Sequence, residues 1–320
     1  MSAVARILIT TDYLRAGDEV DDLLRSRGHE TRYPSGDLVA DLAGIEGALV
    51  GHDPLTAEVL ASAERLRAVV RTGVGYDAID VEAAARAGVT VSNLPGINAN
   101  AVAEYTMGLL LASSRRLVES AAGVASGGWP RADGRELRGS TLGLIGYGAA
   151  ARAVVPLARA FGMSVLCTTS VPEAERTDPD VRFVELPELL AEADHVSVHT
   201  ALTPRTRGML DADAFAQMRP GAVLVNTARG AIVDEEALAD AVRERRIAGA
   251  ALDVVAEEPL PAASPLRGVP GIVVHSHLAG QSAQARRAAG LEGARELLCA
   301  LAGSPEHAVN AHLIEERDNR

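Results

Sequence analysis

The sequence predicts an α/β protein made of two doubly wound parallel-sheet domains, and three observations lead there. Short Val-, Leu- and Ile-rich runs alternate with helical stretches from one end of the 320-residue chain to the other. Aromatic residues are only 3% of a composition that is 48% hydrophobic, so branched aliphatic side chains must build the core. Such runs suit strands covered on both faces. The alternation also falls into two series, and a chain of this length divides into domains of about 100–200 residues.

In the first series Ile7–Thr10 reads as a strand and Asp18–Arg27 as a helix, with further short buried strands at Gly47–Val50, Leu66–Arg71 and Val89–Ser92. The stretch Ala99–Arg116 is helical and apolar around most of its circumference, which predicts burial on several sides. A Gly/Pro-rich connection, S-G-G-W-P-R-A-D-G, follows it. The second series begins with strand T-L-G-L-I-G, a helix from Ala149 and strand M-S-V-L-C-T. It continues with strands H-V-S-V-H-T, A-V-L-V-N-T, G-A-A-L-D-V-V and G-I-V-V-H-S, and a helix at Asp234–Arg246. One more long helix starts near Gln281, and the charged tail beyond Ile314 reads as frayed. The second domain, residues 104–289, is therefore expected as an insertion into the first, residues 1–103 plus 290–320.

Composition narrows the function classes. Lys and Arg number 31 against 43 Asp and Glu, a net charge of -12, which argues against nucleic acid or an anionic membrane as the main partner. Two isolated cysteines, Cys167 and Cys299, make neither a disulfide framework nor a zinc site, and no metal is expected. The start lacks the apolar stretch of a signal peptide, and no apolar run approaches the ~20 residues of a membrane span. A soluble, cytoplasmic protein is the expectation.

The turn Gly146-Tyr147-Gly148-Ala149-Ala150-Ala151 joins a predicted strand to a predicted helix. Gly146 permits the tight turn, Gly148 lets the backbone approach a pyrophosphate at the helix N-terminus, and Ala151 is small enough to pack helix on strand. Within a strand–turn–helix–strand unit this is a dinucleotide-binding, Rossmann-type signature. Pro156 lies inside the helix that follows, where it should kink it or cost about 3 kcal/mol. At the end of the next strand, where a carboxylate would hold the ribose 2′-OH of NAD, the chain has Thr169 and Ser170, and Arg176 is the nearest following arginine. NAD(H) and NADP(H) both remain open.

Three other predicted strand ends carry Arg229 in V-N-T-A-R-G, Asp253 and Glu258 in L-D-V-V-A-E-E-P, and His277 in H-S-H-L-A-G. Each alone reads as an ordinary surface or loop residue. Together they supply a cation for a substrate carboxylate, an imidazole for a hydroxyl proton, and a carboxylate to orient that imidazole.

On these residues, and on R-T-G-V-G-Y-D-A-I-D, N-L-P-G-I-N-A-N-A-V-A-E, L-G-L-I-G-Y-G and V-N-T-A-R-G-A-I-V-D-E, the chain resembles the D-isomer-specific 2-hydroxyacid dehydrogenase family over nearly its whole length. The resemblance implies a Rossmann domain inserted into a flavodoxin-like substrate domain. It implies a catalytic set of Arg229 on the substrate carboxylate and carbonyl, His277 as general acid and base, and Glu258 holding His277. Asp253 would accept from the nicotinamide carboxamide. Thr200, Thr227, Ala228, Gly280 and His277 itself would line the NAD(H) or NADP(H), with Gly146, Gly148, Ala149, Ala150, Thr169 and Ser170 along the rest of it. The backbone of Gly73, Val74 and Gly75 would cradle the substrate carboxylate, near Asn98. Arg71 resembles the arginine of phosphoglycerate dehydrogenases and could meet a distal phosphate, whereas G-V-G-Y-D resembles glyoxylate and hydroxypyruvate reductases. A homodimer is implied.

Two departures stand out. Ala149 and Ala150 replace the arginine and bulky apolar residue usual after the second glycine, and Ser276 replaces the usual proline before the histidine. The alternative reading is a non-catalytic, corepressor-like dinucleotide sensor on the same fold, which the alanine-rich loop favours and the Arg–Glu–His set opposes. A formate-type donor would need no glutamate-backed proton acceptor.

Overall fold

The computed structural model describes residues 4–318. It resolves two compact units, one formed by residues up to Asn98 and from Ala283 onward, the other by Ala99–Ser282. The first unit opens with β1 (Arg6–Ile9), α1 (Glu19–Ser26), β2 (Glu30–Arg32), α2 (Leu38–Asp41), β3 (Gly47–Val50), α3 (Ala57–Ser62), β4 (Ala68–Arg71), α4 (Val81–Ala87) and β5 (Thr90–Ser92). The second contains α5 (Ala99–Ser114), α6 (Leu117–Ala125), β6 (Thr141–Ile145), α7 (Ala149–Ala160), β7 (Ser164–Thr168), β8 (Val181–Phe183), α8 (Leu186–Glu192), β9 (His195–Val198), α9 (Ala212–Gln217), β10 (Val223–Asn226), α10 (Glu235–Arg243), β11 (Gly249–Leu252) and β12 (Ile272–Val274). The chain then returns to the first unit as α11 (Ala283–Leu301) and α12 (Ala311–Asp318). The helix α5 lies whole in the second unit, whereas the sequence suggested a division within it, between residues 103 and 104.

All strand pairings in both sheets are parallel. The first sheet runs β2-β1-β3-β4-β5, the flavodoxin-like order. The second runs β12-β11-β10-β9-β6-β7-β8, so its order reverses between β6 and β9. Such a switch point opens a crevice at the carboxyl ends of the strands, where doubly wound sheets bind ligands.

Alternation along the strands sends side chains to opposite faces. In β1, Leu8 joins Ile45, Val50 and Leu55 on one face, while Ile7 and Ile9 join Leu24, Leu49 and Leu297 on the other. The small residues of α11 let it lie close to that second face. A Cβ on Gly290 would stand 2.9 Å from a Leu14 methyl, and one on Gly47 3.2 Å from Leu297 and Leu301. In the second unit, Leu142 and Leu144 pack beneath α5 and α7, and Val196, Val198 and Leu224 pack with Leu189, Phe215 and Leu238 on the opposite face.

One sequence expectation needs revision. The tail beyond Ile314 is part of α12, which packs on α4, and Arg317 Nη1 donates to the Ala85 carbonyl at 3.3 Å. Pro156 lies inside α7 on its exposed side, where the Arg152 carbonyl it leaves without an intrahelical donor can face water.

Two histidines at β9 make this unit acid-sensitive. Burial pushes the imidazole of His195 down from its ordinary value and that of His199 down to about 4. The unfolded chain takes up those protons near pH 6.5, so stability present above that value is lost as pH falls toward 4, by at most about 1.4 kcal/mol per pH unit for each group. The melting temperature should therefore drop across this window, and His199→Asn should flatten the drop. An equal pH dependence in wild type and variant would show that His199 does not contribute.

Candidate active site

The site is built from loops at the carboxyl ends of the strands. Between β6 and α7, Gly146 has φ +101, and a Cβ there would lie 2.6 Å from the His199 carbonyl oxygen. No side chain can stand where the β6 and β9 ends meet. Gly148 differs, since a Cβ on it would meet nothing within 4 Å. Its lack of a side chain leaves open space above the start of α7. Asp18, Asp80, Asp211 and Asp234 cap α1, α4, α9 and α10 by accepting backbone N–H bonds, but α7 begins at Gly148 with no side-chain cap. A 12-residue helix thus presents its N-terminal N–H groups and the positive end of its dipole to that space. This cradle fits a dinucleotide pyrophosphate. Ala149 and Ala150 follow in its first turn, and the nearest cation in sequence, Arg152, stacks over the Tyr147 ring at 4.9 Å.

At the end of β7, Thr169 is half-buried and Ser170 exposed. Thr200 and Thr227 follow β9 and β10, and the Thr227 hydroxyl lies 3.3 Å from that of Thr106 on α5. The next residues, Ala228 and Arg229, are shaped by Asn226, a fully buried residue that sequence reasoning did not single out. Its Oδ1 accepts from the Ala228 N–H at 3.0 Å, and its Nδ2 donates to the Arg229 carbonyl at 2.9 Å. One amide therefore clamps the whole turn. The available signal was a polar residue closing an otherwise apolar strand. Arg229 Nη1 donates to the Ala228 carbonyl at 2.8 Å, which draws its guanidinium back over the turn.

Gly230 packs this turn against the one after β11. A Cβ on it would lie 1.9 Å from the Val255 carbonyl carbon and 2.3 Å from the Ala256 nitrogen. Both obstacles are backbone, so Gly230→Ala must force the Arg229 and Glu258 loops apart. The expected cost is about 1–3 kcal/mol of stability and about 100-fold in turnover. Melting curves and kcat for this variant check both figures, and wild-type values for the two would mean the loops have slack.

Glu258 Oε2 lies 2.8 Å from His277 Nδ1, while its Oε1 accepts from the Val255 N–H at 3.3 Å. His277 itself has φ +58, a conformation uncommon for a residue with a side chain. Asp253 holds it there. Its carboxylate, 1% exposed as a residue, accepts from the Leu278 and Ala279 N–H groups at 2.7 and 2.8 Å, and its carbonyl accepts from the His277 N–H at 2.8 Å. Ser276 and Gly280 flank this turn. Arg229, Asp253, Glu258 and His277 thus come from the ends of three neighbouring strands, β10, β11 and β12, with β9 between them and the glycine turn of β6.

In the first unit, Arg71 ends β4 and its guanidinium folds over the next turn, so that a Cβ on Gly73 would fall 1.4 Å from Nη1. Arg71 Nη2 lies 3.0 Å from His52 Nε2, a partner sequence reasoning missed. Val74 and Tyr76 beside it are exposed, Gly75 lies between them, and Asn98 closes the segment before α5. A cavity of about 490 Å³ in the second unit is elsewhere, near the starts of β6, β9, β10 and β11, and includes none of Arg229, Glu258 or His277.

Among the described residues no helix is long and apolar enough to cross a membrane. Residues 107–279 match the family profile described as D-isomer specific 2-hydroxyacid dehydrogenase, NAD binding domain. The chain is 42% identical over 250 residues to the D-3-phosphoglycerate dehydrogenase of Mycobacterium leprae, covering 77% of this chain and 47% of that protein. It spans about half the length of that protein and of the D-3-phosphoglycerate dehydrogenase of Methanocaldococcus jannaschii. It is 36% identical to the glyoxylate reductase of Thermofilum pendens, over 83% of this chain and 81% of that protein. Its fold matches a Thermus thermophilus structure with TM-score 0.87 and 38% identity, over 95% of this chain and 99% of the other. Similar structures that hold a cofactor include an acyclic imino acid reductase with NADPH (TM-score 0.85, 27% identity, 95% and 99% covered) and the formate dehydrogenase of Staphylococcus aureus with NAD (0.84, 26%, 94% and 96%). The fold and the ordered motifs agree with these matches, and the chain belongs to the D-isomer specific 2-hydroxyacid dehydrogenase family.

Proposed function

We propose that the protein is an NAD(P)-dependent oxidoreductase that interconverts a small 2-keto acid and the D-2-hydroxy acid. The observation that carries this reading is the His277–Glu258 pair at 2.8 Å, on the same strand-end edge as Arg229 and the open cradle at Gly148. A pure dinucleotide sensor has no use for a carboxylate-backed imidazole.

Gly146, Gly148, Thr169, Ser170 and Thr200 would hold the cofactor, which would supply or accept the hydride. With Nδ1 committed to Glu258, proton exchange with the substrate oxygen falls to His277 Nε2. In reduction His277 gives a proton to the carbonyl oxygen, and in oxidation it takes one from the hydroxyl. Glu258 is a positioning residue whose charge compensates the imidazolium. Arg229 holds the carboxylate and polarises the carbonyl with a planar fork of donors. Asp253 already accepts two N–H bonds, and a carboxylate has lone pairs left to accept from the nicotinamide carboxamide. Thr200, Thr227, Ala228 and Gly280 line that end of the cofactor in this reading.

We assign the Gly73–Gly75 backbone and Asn98 to the substrate carboxylate, and Arg71 to a second anionic group such as a distal phosphate. The position of the Arg71 guanidinium over Gly73 supports this assignment. The working form in this reading is a cytoplasmic homodimer, supported by the exposed apolar residues Leu117, Val118, Val124 and Trp129 on and after α6.

Initial rates of NADH and NADPH oxidation with glyoxylate, hydroxypyruvate, phosphohydroxypyruvate and pyruvate test the proposal. Turnover is expected, with phosphohydroxypyruvate preferred and its preference lost in Arg71→Ala. Cofactor binding without turnover of any acid would support the sensor instead.

A further inference from the structure

We propose that Arg176, with Thr169 and Ser170, forms a 2′-phosphate site that makes NADP(H) the preferred cofactor. The inference rests on the dinucleotide reading above and adds the cofactor's identity to it.

The end of β7 follows the Gly146–Gly148 turn by about 20 residues, where a Rossmann domain meets the adenosine ribose. No carboxylate stands at Thr169 or Ser170, so the strand end lacks the anionic acceptor that favours a 2′-hydroxyl and repels a 2′-phosphate. In sequence Arg176 is seven residues away, yet the chain after β7 folds back so that its side chain returns to this point. Its Nε donates to the Val171 carbonyl at 2.8 Å and its Nη2 to the Thr169 carbonyl at 3.3 Å.

These two bonds use part of a guanidinium that carries five donors, and the rest remain for an anion. They also tether the side chain, so less freedom is lost when a phosphate binds. Among the described residues Arg176 has no carboxylate partner. The acids near it in sequence are Glu173, Glu175, Asp178 and Asp180. Of these, Asp178 accepts from the Tyr147 hydroxyl at 2.5 Å and Asp180 pairs with Arg159 at 3.3 Å. The Thr169 hydroxyl oxygen accepts from the Val171 N–H at 3.1 Å, which leaves its hydrogen to donate outward, and Ser170 adds an exposed hydroxyl. A tethered cation, two hydroxyl donors and no opposing carboxylate are the chemistry of a phosphomonoester site.

Calorimetric titration of the full chain with NADPH and NADH tests this without turnover. NADPH should bind at least about tenfold more tightly than NADH. Arg176→Gln keeps a neutral donor for the two carbonyls but removes the charge. It should weaken NADPH about 10- to 100-fold, leave NADH within about twofold, and leave the melting temperature unchanged. Thr169→Asp should reverse the preference by pairing with Arg176 and repelling the phosphate. Tighter binding of NADH by the wild type, or equal weakening of both cofactors in Arg176→Gln, would overturn the assignment of Arg176 while leaving the dehydrogenase reading intact. Binding of neither cofactor by the folded wild type would overturn the dinucleotide reading itself.

Discussion

Replacing His277 by asparagine lowers kcat by about 10²–10⁴-fold, the range expected when a positioned acid–base group is lost, with cofactor affinity nearly unchanged. Asparagine is the informative substitution because the backbone at 277 has φ +58, a region that Asn enters more readily than most residues. The turn held by Asp253 through the N–H groups of Leu278 and Ala279 then stays in place, and the loss reports on the imidazole. Steady-state rates and calorimetric cofactor titration together check this. Full activity in the variant would remove His277 from the reaction. Glu258→Gln should cost less, about tenfold, since it removes the charge behind Nδ1 but keeps an amide oxygen within reach.

The second large effect is at Arg229. Arg229→Gln should reduce kcat/KM by about 10²–10³-fold, the consequence of losing a charge-assisted contact worth some 3–4 kcal/mol at the substrate. In its proposed role the arginine both binds the carboxylate and polarises the carbonyl, so KM should rise and kcat fall together. Asn226 clamps the Arg229 turn through its side-chain amide, so two of the loop's hydrogen bonds do not involve the guanidinium. A variant with raised KM and wild-type kcat would restrict Arg229 to anchoring the carboxylate.

Much of this architecture is legible in the sequence because parallel strands buried on both faces are mostly apolar. The segments Gly47–Val50, His195–Val198 and Val223–Asn226 show full burial along their length and read as strands from composition alone. The edge strands do not. In Glu30–Arg32 only Thr31 is buried, and Val181–Phe183 carries an exposed Arg182 at its centre, so neither shows a period strong enough to stand out. α12 escaped for a related reason: its charged sequence gains order from packing on α4 rather than from its own pattern. At the candidate site, Arg229, Asp253, Glu258 and His277 were readable as motif positions. Asn226 and Gly230 were not, since the need for Gly230 follows from the Val255 backbone 25 residues away in sequence, and Arg176 reaches Thr169 only through the fold.

Hydride transfer to the carbon beside a carboxylate should have a defined hand. Chiral chromatography of the acid produced when the protein is incubated with a 2-keto acid and reduced cofactor, alongside Arg229→Gln, reads that hand. Only the D-2-hydroxy acid is expected from the wild type, and almost none from the variant. A racemic or L product, or no hydroxy acid from protein that binds the cofactor, would contradict it.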